Sequence, residues 1–237
     1  KEHSDLVMEF CKQLKEQNGL DEAVTRTIQS LTFNDESLTE EEQTIIKKWF
    51  YNAIYLHDIG KVNPAFQKIK MKQKELELDG DMTSKHSLFS SLLFLHIHQD
   101  DLKAFEDDGE KCGFLTYVLL MFSYLISRHH TYLKNFSLSD YQIELQLLNQ
   151  KFCEKPLFLQ LYTNNSEYYN QFKLEEWTDE SYLEEEGHNH YPFYILNRLL
   201  YSTLVASDFY ATYTYDKEGK KPTFRYLSKE DIAILRK

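Results

Sequence analysis

Apolar positions recur at intervals of three and four residues along most of this 237-residue chain, the period of helices with one face turned inward. In HSDLVMEFCKQL, His3, Leu6, Val7, Phe10 and Leu14 share one stripe. TEEEQTIIKKWFYNAIYLHD predicts a second helix. Thr39 is its N-cap, Glu42 completes a capping box, an apolar run extends to His57, and Gly60 and Pro64 stop it. Residues 66–84, rich in Lys, Gln, Glu and Asp, read as a solvated connection. SLFSSLLFLHI restarts a helix near Ser84 or His86, and a buried helix is expected from Gly113 to about Leu133. Residues 134–190 are less apolar, carry acidic clusters, and read as a peripheral helical insertion with loops. PFYILNRLLYSTLVASDFYATY is a further core helix with Pro192 in its first turn. YTYDKEGKKPTFRYL alternates aromatic and polar residues around a Gly-containing turn, the pattern of a small hairpin, and Ser228 then caps a last helix. The expected fold class is all-α: a helical bundle with a small C-terminal hairpin, one domain over residues 1–237, with the hairpin and final helix in 213–237. That final helix looks interrupted, so more protein is expected to follow it.

Composition narrows this picture. Gly and Pro number only seven and four, which favours long helices over a many-stranded sheet. Apolar residues make up 42 %, enough for a sizeable core, and no uninterrupted run of eighteen exists, so no membrane-spanning helix is expected. The opening KEHSD is charged, unlike a signal peptide, and without an initiator Met, so a few residues are expected to have been removed. Cys11, Cys112 and Cys153 are odd in number and far apart, which fits reduced thiols in a cytoplasmic protein and no thiolate zinc site. The net charge of −11 excludes a global basic face for gripping duplex DNA, so any nucleic-acid contact must be local or assisted by metal ions.

The chemistry lies in polar residues on apolar stripes. His3 precedes Leu6, Val7 and Phe10; His57 follows Ala53 and Ile54; His86 precedes Phe89 and Leu93; His129 follows Leu125 and Ile126, and His130 follows Ile126; Asp208 follows Leu204 and Val205. A single inward histidine is ordinarily a satisfied core residue. A buried aspartate is costly without a partner, and five helices each aiming His or Asp inward point to one shared centre with a bound cation. Imidazole and carboxylate donors without thiolate suit iron, manganese, nickel, cobalt or zinc. His3, His57, Asp58, His86, His129, His130 and Asp208 exceed what one ion needs. Two ions bridged by Asp58 would use them all, an arrangement suited to phosphodiester hydrolysis. His96, His98, His188 and His190 read as ordinary surface or half-buried residues.

These residues resemble the HD phosphohydrolase superfamily, and specifically the HD nuclease domain of the CRISPR-associated helicase-nuclease of type I systems. The matching features, over residues 3–212, are His3 in EHSDLV, the HDIGK of His57 and Asp58, His86 in KHS, the His129-His130 pair in SRHH, and Asp208 in SDFYAT. The resemblance implies an HD-domain helical bundle in which His3, His57, Asp58 and Asp208 hold one metal, and Asp58, His86, His129 and His130 a second. It implies that Lys61 lies near the scissile phosphate. It implies two divalent transition-metal ions (iron, manganese, nickel or cobalt, with zinc or magnesium also compatible). The implied partners are single-stranded DNA, a helicase in cis or in trans, and a CRISPR RNA-guided surveillance complex. Phe209 and Thr212 stand where the family often has tryptophan and serine. No G-x-x-x-x-G-K-[ST] phosphate loop occurs, so ATP-driven strand separation must come from another protein or a continuation of this one. Two rivals remain at this stage: an HD phosphohydrolase acting on nucleotides or cyclic nucleotides, and a non-catalytic HD module that docks on a partner complex.

Overall fold

A computed structural model describes residues 2–73, 75, 84–131, 133, 137–153 and 190–216. Seven of its helices build or flank the core: α1 (Glu2–Asn18), α2 (Leu20–Gln29), α3 (Glu40–Leu56), α5 (Ser87–His98), α6 (Gly109–Arg128), α7 (Leu138–Cys153) and α8 (His190–Asp216). The short α4 (Pro64–Ile69) follows a 3₁₀ turn at Ile59–Val62, and a second 3₁₀ segment, Gln99–Phe105, links α5 to α6. Among the described residues the strands are β1 (Thr32–Phe33) and β2 (Glu36–Ser37), an antiparallel pair in register Thr32 to Ser37. Their Asn34-Asp35 turn has positive φ at both residues, the backbone that two-residue hairpins favour. The architecture is an all-α bundle, as its patterning predicts.

One apolar core runs through the bundle. Val7 and Cys11 of α1, Trp49, Phe50 and Ile54 of α3, Phe89 and Leu92 of α5, Phe122 and Ile126 of α6, and Leu200 and Leu204 of α8 are all buried within it. Helix α5 is apolar nearly all round and lies along α6, while α1 lies along α8. By length and composition α6 could cross a bilayer, which a count of uninterrupted apolar residues does not register; half of that stretch is buried inside the bundle. The capping box of α3 is present: Glu42 N donates to Thr39 Oγ1 at 3.3 Å and Thr39 N to Glu42 Oε2 at 2.8 Å.

Four boundaries differ from expectation. The connection assigned to 66–84 begins later, because Pro64 both ends the preceding turn and starts α4, with Asn63 Oδ1 accepting from Ala65 N at 2.9 Å. Helix α6 starts earlier and ends earlier than the Gly113–Leu133 reading. Asp108 Oδ1 caps it, accepting from Lys111 N at 3.1 Å, and it stops at Arg128, where His129 turns its ring onto the Ile126 carbonyl. Tyr213–Asp216, taken as the first arm of the hairpin, is helical. Leu204, Ser207, Ala211 and Thr214 continue one buried stripe, which a short aromatic-polar alternation imitates. The rest of that hairpin and the last helix, residues 217–237, lie outside the described residues. Of the 134–190 insertion, α7 is helical and packs on α5, and 154–189 lie outside the described residues.

His98, read as a surface or half-buried residue, is instead 1 % exposed. It sits against Trp49 and Phe94, and its Nδ1 lies 2.9 Å from Asp101 Oδ2. That carboxylate also accepts from the buried Trp49 Nε1 at 2.9 Å and from Lys48 Nζ. Burial pushes the Asp101 carboxyl up, but these bonds from His98, Lys48 and Trp49 outweigh it and hold the group well below the usual carboxylate range. Asp101→Ala should therefore cost about 3 kcal/mol, since it orphans a buried indole N–H and removes charge-assisted bonds. Because the folded carboxyl titrates below the unfolded one, its contribution is complete above about pH 4. It drains away as pH falls below that value. Urea unfolding across pH checks this: the gap between wild type and variant should narrow in acid, and a gap independent of pH would refute the assignment.

Candidate metal centre

The ends of helices, and one helix interior, assemble the centre. His57 is the C-cap of α3 and His129 the C-cap of α6. The last carbonyls of a helix lack intrahelical partners, and both rings use one. His57 Nδ1 donates to Ile54 O at 2.7 Å and His129 Nδ1 donates to Ile126 O at 2.6 Å. This fixes the tautomer, so each Nε2 points into the centre with a free lone pair. His86 is the N-cap position of α5, His3 lies in the first turn of α1, and Asp208 lies within α8. His130 follows His129 directly, with ring centroids 3.9 Å apart.

Asp58, at the start of the 3₁₀ turn, stands between them. Its Oδ2 is 3.1 Å from His3 Nε2 and 3.5 Å from His57 Nε2, and its Oδ1 is 2.8 Å from His86 Nε2 and 3.7 Å from His129 Nε2. Asp208 Oδ1 completes the first group, 3.0 Å from His3 Nε2 and 3.6 Å from His57 Nε2. His130 Nε2 completes the second, 3.1 Å from His86 Nε2. Two donor sets result, His3–His57–Asp58–Asp208 and Asp58–His86–His129–His130, with the donor atoms of each set all within 4.8 Å of one another. The two oxygens of one carboxylate are divided between them. Lys61 Nζ also contacts Asp58 Oδ2, so it belongs to the site and is not a lysine of the open surface.

Charge and burial favour a cation here. His57 is wholly buried, Asp58 and His129 are each 6 % exposed, and His57 Nε2 and His129 Nε2 make no hydrogen bond. Buried polar atoms without partners are rare, and two imidazole nitrogens converging beside the Asp58 carboxylate fit a divalent ion held by imidazole and carboxylate. Burial pushes the Asp58 carboxyl up, but His129, His3, His86 and the charge of His57 hold it well below the usual range. Burial likewise acts against the Asp208 carboxylate, and His3 and His57 keep it ionised. Asp208 and Asp58 raise the His3 imidazole to about 9. A metal taking this nitrogen must therefore displace a proton, which makes affinity at the first set rise with pH.

All eight residues singled out from the sequence, the seven His and Asp and Lys61, fall within this one centre. Phe209 is 61 % exposed beside Asp208, and Thr212, one turn on, is also exposed. Sequence reasoning missed Gly60, which approaches the backbone of His86 and Ser90 at the start of α5 too closely to admit a Cβ. The signal was the Gly in HDIGK, read there only as a helix stop. His188 lies outside the described residues, as does the side chain of His190.

A helical bundle that gathers histidines and aspartates around the adjacent His57-Asp58 pair is the arrangement of an HD domain with groups that could hold metal. The sequence model of the family described as Cas3, HD domain, matches residues 2–204, and the chain belongs to this family of CRISPR-associated HD nucleases. The match stops four residues short of Asp208, so the place of Asp208 in the centre rests on geometry. Comparison with curated proteins and with solved structures gives no match.

Proposed function

We propose that the chain hydrolyses phosphodiester bonds of single-stranded DNA at a two-metal centre and serves as the nuclease of a cytoplasmic type I CRISPR interference system, working with a helicase and an RNA-guided surveillance complex. The observation that carries this reading is the division of the Asp58 oxygens between two donor sets. Divalent ions held by those sets would supply positive charge to polarise a phosphodiester and would lower the pKa of water. The protein's own groups do the rest. His57 and His129 hold their Nε2 atoms in fixed positions through the Ile54 and Ile126 carbonyls. Asp58 and Asp208 keep the centre anionic enough to retain cations. Lys61, one-third exposed at its side chain, offers an ammonium to the phosphate from the solvent side, where it stabilises developing charge.

The preference for single strands has a structural rationale. The innermost ligands are buried, while His130, His3, Lys61 and Asp208 form the more open edge. A phosphate must descend to reach the inner donors, which a flexible strand does more readily than a stiff duplex. At −11 the chain also lacks a general basic face to hold duplex phosphates against counterions. Matched single- and double-stranded oligonucleotides should be incubated with the purified chain in manganese, nickel, cobalt or EDTA, without ATP. The expected result is cutting of the single strand alone, abolished by EDTA. Equal cutting of duplex, undiminished cutting in EDTA, or turnover of cyclic nucleotides in place of DNA would each refute the proposal.

A further inference from the structure

The acidic balance of the chain is not uniform. Residues 61–73 contain Lys61, Lys68, Lys70 and Lys72 and no Asp or Glu. Several described lysines elsewhere are paired with carboxylates: Lys12 with Glu16 and Lys15 with Asp21 on α1, Lys47 with Asp21 and Lys48 with Asp101 on α3, Lys111 with Glu42 on α6. None of the ion pairs among the described residues includes Lys68, Lys70 or Lys72. Among the described residues, these paired lysines contrast with Lys68, Lys70 and Lys72, whose charges no described carboxylate meets.

The segment is also fixed to the metal centre. Pro64 and Ala65 are buried, Gln67 Nε2 donates to Lys61 O at 2.5 Å, and the Phe66 ring lies 5.0 Å from the His86 ring and 5.9 Å from Lys61 Nζ. Beyond α4 the backbone stays tied back, with Lys70 N donating to Phe66 O at 2.8 Å and Gln73 N to Gln67 O at 3.2 Å. Lys68 is half-buried, and Lys70 and Lys72 are exposed together with Ile69 at 54 % and Met71 at 58 % exposure. Lys72 is six residues from Phe66, so the three ammonium-bearing residues lie within about 20 Å of the centre along the chain.

The geometry points to this arm as the track on which single-stranded DNA enters the metal centre. The lysines of the arm meet the phosphates, the exposed Ile69 and Met71 offer apolar surface to bases, and the strand passes Lys61 to the ligands. The inference rests on the single-strand reading above and adds the surface that holds the polymer. Three charges suit a single strand; the acidic remainder of the surface repels the second strand of a duplex.

The test compares the full wild-type chain with the triple variant Lys68→Glu, Lys70→Glu, Lys72→Glu. Two probes are used: a labelled oligo-dT, read by anisotropy over a salt series and by cleavage, and bis(p-nitrophenyl) phosphate, a diester too small to touch the arm. The expected result is at least a tenfold loss of oligo-dT affinity, a rise in KM with kcat little changed, and an unchanged rate on the small diester. The slope of log affinity against log salt should shrink by about 0.7 per lysine, about 2 in all. The matching triple Lys→Arg variant should restore binding. Unchanged affinity and slope would overturn the inference, as would an equal loss on both probes, which would mark the arm as structural. A wild-type chain that turns over the small diester and fails to bind oligo-dT would overturn the single-strand reading itself.

Discussion

Asp58→Ala is expected to lower turnover about a thousandfold or more and to remove metal from both donor sets. Asp58 is the residue common to the two sets, with Oδ2 facing His3 and His57 and Oδ1 facing His86 and His129. Loss of either neighbour impairs one set, whereas loss of Asp58 opens both. Each 1.36 kcal/mol of lost transition-state stabilisation is tenfold in rate, and a metal centre contributes several kcal/mol. The apolar core through Trp49, Phe89 and Phe122 does not include Asp58, so the variant should stay folded. Metal content by mass spectrometry, together with thermal unfolding, separates the possibilities. A folded Asp58→Ala chain that retains near-normal cleavage would end the two-set account.

Gly60→Ala should damage both stability and activity. A Cβ at Gly60 would lie 2.2 Å from His86 O, 2.6 Å from Ser90 N and 2.7 Å from Ser90 Oγ. The first two are backbone atoms joined by their own hydrogen bond at 2.7 Å, so no side-chain rotation relieves the clash. The Gly60 N–H also donates to Ser90 Oγ at 2.8 Å, which ties the 3₁₀ turn to the start of α5. Either the turn or α5 must retreat, and Asp58 moves away from His86. Overpacking of this kind costs about 3 kcal/mol, and a displacement of about 1 Å at reacting groups costs about a hundredfold in rate. Denaturant unfolding and single-strand cleavage should report both losses. A variant with wild-type stability and wild-type cleavage would show that the close approach is dispensable.

The contrast between Asp58 and Gly60 shows what the sequence made readable. Periodicity exposed the stripes carrying His3, His57, His86 and Asp208, because an inward polar residue stands out against apolar neighbours three and four positions away. It also paired His57 with Ile54 and His129 with Ile126, the two carbonyls that orient those rings. Register within a stripe says nothing about the distance between stripes, so the approach of Gly60 to α5 was invisible. His98 was misjudged for a related reason. Its partner Asp101 lies in the next segment and its neighbour Trp49 on another helix, and only tertiary contact shows that the imidazole is satisfied. Tyr213–Asp216 was misread because two periods overlap in a four-residue run. That no carboxylate among the described residues pairs with Lys68, Lys70 or Lys72 depends on where the carboxylates of other helices lie, which no linear reading contains.

Anomalous diffraction from crystals of the chain soaked in manganese tests the central claim most directly. The account predicts two peaks about 3.5–4 Å apart, one bounded by His3, His57, Asp58 and Asp208 and the other by Asp58, His86, His129 and His130, with the Lys61 ammonium displaced from Asp58 Oδ2. A single peak that leaves one donor set without density, or none beside Asp58, would contradict it.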